Sequence, residues 1–221
     1  MEAIGGKWKC VILWWLRRDA RRFGELKLLM PTISQKVLTQ QLRELETEGL
    51  IARESYRESP PRVEYSLTPH GQTLTPITEL MCEWGKHHNV NYQFGYSRLE
   101  NVQVLVVSSQ AESLRIVLEK YSAIVVSATS ITEIFSLPDD YSPNALLIDL
   151  NLLNQANSQI FVAKIKQMKQ KFKNILALVA TVPIDNSSER VRAFKMGFAV
   201  HLPSPIENAE MIATLTSLTG G

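Results

Sequence analysis

Five side chains between Gln35 and Arg43 have the chemistry needed to touch nucleic-acid bases. Gln35, Lys36, Thr39, Gln40 and Arg43 recur at the three- and four-residue spacing that gathers side chains on one face of a helix. Amide, hydroxyl and cationic groups match the donor and acceptor patterns of the DNA major groove. Glutamine pairs with adenine, and arginine or lysine with guanine or phosphate. Ser34 stands just before this run and fits the N-cap, so the base-facing groups crowd the first turns of the helix. Arg57 and Arg62 flank Glu58-Ser59-Pro60-Pro61 and are expected at the tip and return of a hairpin that rides over the adjacent groove or backbone. Arg17, Arg18, Arg21 and Arg22 precede the helical run and are further candidates for backbone contact.

The charge distribution agrees with that chemistry. From Lys7 through Arg43 there are nine Lys or Arg against two acids, a balance of +7, in a chain whose net charge is only +2. The following stretch to Gln93 carries four basic and eight acidic residues, and residues 94 to 221 carry eleven of each. A basic block confined to one segment is the footprint of a phosphate-binding surface, although a solvated helix face would carry the same charge. Apolar residues make up 45% of the 221 and charged residues 21%, a globular composition long enough for two domains. No apolar run approaches the length that spans a bilayer, and the opening residues lack a signal-peptide pattern. Cys10 and Cys82 have no metal-ligand spacing. A cytoplasmic setting without structural disulfides is expected.

These residues must be positioned by elements that the pattern also predicts. Helices are expected at Lys7 to Arg17, Phe23 to Leu29 and Gln35 to Glu48. The third is expected to turn Val37, Leu38, Leu42 and Leu45 inward and to end at Gly49. Extended segments at Leu50 to Tyr56 and Arg62 to Leu67 form the hairpin, and Thr68-Pro69 caps and opens a last helix. From residue 102 onward strands and helices alternate. Strands are expected at Val102–Val107, Ala123–Ser127, Ala145–Asp149, Ile175–Ala180 and Ala199–Leu202. Helices are expected at Glu112–Tyr121, Ile131–Leu137, Ser158–Lys171, Ser187–Met196 and Glu207–Leu218. The fold class is therefore multidomain. An α+β winged helix-turn-helix over residues 1–93 precedes an α/β, flavodoxin-like, doubly wound five-stranded parallel sheet over residues 100–221.

The first half resembles the HxlR-type winged helix-turn-helix regulators. The likeness rests on Ile4-Gly5-Gly6-Lys7-Trp8-Lys9, Arg22-Phe23-Gly24-Glu25-Leu26, the run from Pro31 to Glu46, Pro60 to Thr68 with Gly71, and Trp84-Gly85. The resemblance implies a homodimer on a roughly palindromic double-stranded operator. Members of that family usually carry more sequence ahead of this point, often with a cysteine. The dimer contact is therefore expected to fall on the last helix, Gln72 to His88, or on the second domain.

The second half resembles a response-regulator receiver, with Asp149 where the phospho-accepting aspartate would sit. The resemblance also marks departures. Ser108 and Ser109 stand where an acidic pair would help hold Mg²⁺, and Ser204 stands where a lysine would neutralise the phosphoryl group. Val179, Ala180 and Thr181 compete for the hydroxyl-bearing switch position. A pseudo-receiver is expected, with Ser108, Ser109, Asp149 and Ser204 lining a crevice for a small effector and an α/β face open to dimerisation or to a protein partner. No cofactor, metal or membrane partner is expected, and no catalytic constellation is recognisable. Two other functions stay open: a phosphorylation-dependent response regulator, and an adaptor that keeps a winged-helix shape without using DNA.

Overall fold

A computed structural model describes residues 4–57, 62–88, 99–138, 141–171 and 177–220. The chain divides into two compact units, residues 1–96 and 97–221.

The first unit contains α1 (Lys9–Leu16), β1 (Arg21–Arg22), α2 (Phe23–Leu29), α3 (Gln35–Thr47), β2 (Ile51–Tyr56), β3 (Arg62–Leu67), α4 (Pro69–Gln72) and α5 (Thr75–His88). Helix α3 starts where the Ser34 Oγ accepts a hydrogen bond from the Val37 N–H, at 3.2 Å. Leu38, Leu42 and Leu45, four and three residues apart, bury its inner stripe. Val37 was expected inward but is exposed, because it lies a quarter-turn from that stripe. Gly49 follows at φ +66°, a conformation that glycine adopts without a Cβ clash. Helix α1 is apolar almost all round, and Ile12, Leu13, Trp15 and Leu16 are fully or nearly fully buried.

Two features depart from the expected order. Arg21 and Arg22 form a short strand that pairs antiparallel with β3, so the hairpin becomes a three-stranded sheet in the order β1-β3-β2. The expected last helix is broken at Thr73-Leu74 into α4 and α5. The Thr68 cap and Pro69 at the first turn of α4 are as expected.

Gly71 in α4 packs against the start of β2 so closely that an added Cβ would stand 1.9 Å from the Leu50 carbonyl oxygen. That oxygen already accepts from the Thr68 N–H at 3.1 Å, so α4 cannot retreat without losing the join. Gly71→Ala is expected to destabilise the first unit by about 3 kcal/mol, read as an earlier urea midpoint for that unit.

The second unit is a parallel sheet of β4 (Gln103–Val107), β5 (Ile124–Ala128), β6 (Ala145–Asp149), β7 (Ala177–Pro183) and β8 (Val200–Ser204), in the order β5-β4-β6-β7-β8. Its helices are α6 (Ala111–Lys120), α7 (Ile131–Phe135), α8 (Gln155–Lys171), α9 (Ser187–Lys195) and α10 (Asn208–Thr219). Alternate strand residues feed two cores. Leu105, Leu146 and Ile148 pack with Ile134 of α7, Phe161 of α8 and Ala193 of α9. Val104, Val106 and Leu147 pack with Leu118 of α6 and Leu215 of α10. Both faces are thus covered, which explains strands with few polar interruptions. The interval 89–98, which holds most of the gap between the two expected domains (1–93 and 100–221), lies outside the described residues.

Candidate nucleic-acid interface

Helix α3 keeps one face outside the core. Ser34, Gln35, Lys36, Gln40 and Arg43 are exposed, and Thr39 is half-buried beside them. Lys36, Gln40 and Arg43 lie within a narrow arc directly opposite the buried Leu38–Leu45 stripe. Some groups on this face are already engaged. Gln40 donates one amide hydrogen to Glu44 at 2.8 Å, leaving its second amide hydrogen and its carbonyl oxygen for a base. Thr39 donates its hydroxyl to the Gln35 carbonyl at 2.9 Å, which leaves its methyl as the outward apolar group. Glu44 also binds Lys9 at 3.0 Å, tying α3 to α1 and holding the face in place. These partners keep the exposed Glu44 carboxyl below its usual range, the Gln40 hydrogen bond most of all.

The cations divide into two groups. Arg21, expected on the nucleic-acid backbone, is instead fully buried. Its guanidinium lies 3.4 Å from Glu25 and donates to the Trp15 carbonyl at 3.5 Å. Arg62, expected at the free return of the wing, is also buried. It pairs with Glu64 at 2.8 Å and stacks 3.5 Å from the centre of the Tyr56 ring. Both arginines were drawn inward because the sheet contains Glu64 and the α2 terminus contains Glu25, each buried and in need of a cation. Arg22 lies 3.6 Å from Glu64; burial pushes its guanidinium below the ordinary value, opposed by Glu64 and Glu25. Arg17 stacks on Trp14 and pairs with Glu79.

By contrast, Lys36, Arg43, Arg53 and Arg57 have no carboxylate within ion-pair distance among the described residues, and all four are exposed. They belong to α3 and the hairpin. Arg57 begins the wing tip, whose remaining residues 58–61 lie outside the described residues. Arg53 was not anticipated from the sequence. It lines a half-open cleft of about 480 Å³ with Gln35, Thr39 and Arg43 of α3. Its only sequence signal was an outward position in a strand; it pairs across from Tyr65, which lines the same cleft.

In the second unit Ser108 and Asp149 lie at the carboxyl ends of the neighbouring strands β4 and β6, and Ser204 ends β8, beyond β7. Ser108 is buried and its Oγ accepts from the Gln110 N–H at 3.1 Å. Ser109 and Ser204 are exposed. Asp149 is half-buried, and its Oδ1 accepts from the Asn151 N–H at 3.0 Å, capping the short 3-10 turn Leu150–Leu152. Thr181 stands level with Asp149 across the β6–β7 ladder, whereas Val179 and Ala180 pair with Leu147 and Ile148. Among the described residues no group of three or more His, Cys, Asp or Glu is placed to hold a metal ion.

Comparison with known proteins locates the first unit. The HxlR-like helix-turn-helix family pattern matches residues 3–93. The HTH-type transcriptional regulator YtcD of Bacillus subtilis is 53% identical over 95 residues, which cover 43% of this chain and 75% of YtcD. The chain belongs to the HxlR-like helix-turn-helix family. An HTH-type transcriptional regulator of Methanothermobacter thermautotrophicus is likewise 53% identical, over 39% of this chain and 66% of that protein. The crystal structure of ytcD is 53% identical over 38% of this chain and 87% of that chain, with a TM-score of 0.38. The HxlR-like match runs from the turn before α1 to just beyond α5, so it contains α3, the whole hairpin and Arg53. It ends before β4 and leaves the second unit outside it.

Proposed function

We propose that this HxlR-like chain is a cytoplasmic, non-enzymatic transcription regulator that binds a double-stranded operator as a homodimer, with α3 in the major groove. One observation carries the reading. The exposed face of α3 presents Lys36, Gln40 and Arg43 together, and its cations have no carboxylate partner among the described residues. A surface with unspent positive charge, amide edges and a methyl group is complementary to base edges flanked by phosphates. Arg57 of the wing supplies a further backbone contact. In a two-fold dimer the two α3 helices engage half-sites about 34 Å apart.

The dimer reading is supported by α5. Ile77, Leu80, Met81 and Trp84 stand at i, i+3, i+4 and i+7, and they are 46%, 71%, 48% and 64% exposed. A contiguous apolar stripe on one helix face is the surface that a second copy would cover. Thr78 and Cys82 occupy the other side of the helix and are buried, so the stripe is not needed for the core of the unit.

The second unit serves as a pseudo-receiver. Its strand order, second-first-third-fourth-fifth, is that of flavodoxin-like folds, whose ligands sit at the carboxyl ends of the strands. Asp149 caps a turn there; by the receiver resemblance Ser108 and Ser109, after the neighbouring strand β4, stand in place of a metal-binding acidic pair, and Ser204, two strands away on β8, in place of a cation. Input through this end is therefore independent of aspartyl phosphate and comes from a protein partner or a small effector.

The test is a titration of the full chain against DNA from upstream of its own gene. Lys36→Ala and Arg43→Ala are each expected to weaken binding by about tenfold to a hundredfold while circular dichroism stays unchanged. Wild-type affinity is expected to fall steeply with salt. Unchanged binding by both variants would remove α3 from the interface.

A further inference from the structure

We infer that the cleft between α3 and the hairpin is a seat for one backbone phosphate of the bound duplex, clamped by Arg43 from one wall and Arg53 from the other. This rests on the DNA-binding reading above and adds to it a residue and a contact. The α3 wall carries Gln35, Thr39 and Arg43, and the sheet wall carries Arg53 and Tyr65. Phe23 closes one part of the cleft and Leu42 forms part of its apolar lining.

Three observations point to an anion in this position. First, both guanidinium groups lack a carboxylate partner among the described residues, whereas Arg17, Arg21, Arg22 and Arg62 of the same unit each have one. Glu46 lines the same cleft, so two arginines and one carboxylate leave a balance of +1. Second, the cleft runs along the flank of the α3 reading face, since Gln35, Thr39 and Arg43 belong to both. With that face in the major groove, the duplex's own sugar–phosphate strand is the anion that passes along the flank. Third, the aromatic side chains of Phe23 and Tyr65 offer apolar walls. Such walls suit the CH groups of a deoxyribose and reduce the screening of the charge-assisted hydrogen bonds beside them. A guanidinium fork can meet two phosphate oxygens, so a pair of forks fixes the strand's position relative to α3.

A phosphate contact has a signature distinct from a base contact: it is indifferent to sequence and changes the salt dependence. Fluorescence anisotropy of the full chain with a labelled upstream duplex and with a scrambled duplex, across about 50 to 200 mM salt, reads both. Arg53→Ala is expected to weaken binding to the two duplexes by the same factor. It is also expected to shrink the affinity ratio between the ends of that salt range by about 3.5-fold, the value for one lost phosphate contact. Arg53→Lys keeps the charge and is expected to retain the wild-type salt slope. Glu46→Gln is expected to tighten binding to both duplexes. If the wild type binds with a steep salt dependence and Arg53→Ala, folded by circular dichroism, keeps the same slope, the clamp is refuted and the DNA reading stands. Loss confined to the upstream duplex would make Arg53 a base reader and would also refute the clamp. If the wild type binds neither duplex, the DNA reading and the clamp fall together.

Discussion

Leu80→Glu combined with Trp84→Glu is expected to convert the proposed dimer to a monomer and to weaken operator binding by at least about a hundredfold. Both side chains are more than three-fifths exposed in the single chain, so replacing them removes little from the monomer's own core. In a two-fold interface each substitution acts twice, and four carboxylates would be brought together on an apolar contact. Loss of the dimer separates the two recognition helices. Each then binds its half-site without the high effective concentration that linkage provides, a factor of about 10² to 10⁴. Sedimentation velocity and a duplex titration on the same samples check both halves. A variant that stays dimeric would move the interface away from α5 to another surface of the chain.

The second large effect concerns the buried charges beneath the wing. Arg21 and Glu25 are 0% and 2% exposed as side chains and lie 3.4 Å apart. Glu25 also accepts from the Arg22 N–H at 2.9 Å, which fixes the start of α2 against β1. Removing one member leaves the other charged in a low-dielectric interior. Arg21→Met alone, or Glu25→Gln alone, is expected to destabilise the first unit by about 3 to 5 kcal/mol. The double variant Arg21→Met/Glu25→Gln is expected to recover a substantial part of the loss, because no uncompensated charge remains. Urea unfolding, followed through the tryptophans of α1, measures the cycle. Additive losses would mean that the two groups do not act as a pair. Any loss of DNA binding in these variants should track the loss of folded protein, since neither side chain reaches the surface.

Much of this organisation was legible in the sequence, for identifiable reasons. Period-3.6 spacing placed α3 and its cap to within a residue, and turn chemistry placed the hairpin and the Thr68-Pro69 helix start. Apolar runs separated by helical segments gave all five strands of the second unit within a few residues. The failures have separate physical causes. Arg21 and Arg62 were read as surface cations because sequence shows charge but not the partner that buries it. Their acids are Glu25, on the same helical start, and Glu64, two residues along β3 from Arg62. The two-residue strand β1 has too short a pattern to announce itself, and only its pairing with Tyr65 and Glu64 defines it. Val37 was placed inward on hydrophobicity alone, although its position in the helical turn faces away from the Leu38, Leu42 and Leu45 stripe. Arg53 escaped notice for the opposite reason. A single exposed arginine in a strand carries no signal until the fold brings it beside Arg43.

Site-specific photo-cross-linking tests the placement of α3 most directly. A photoreactive side chain at the exposed Gln40, in the full chain bound to the upstream duplex, is expected to attach to bases through the major groove at two places about one helical turn apart. The same group at the exposed Ile116 of the second unit is the control and is expected to give no such pattern. Binding of the duplex with no base adduct from position 40, or with adducts from position 116 in its place, would contradict the account.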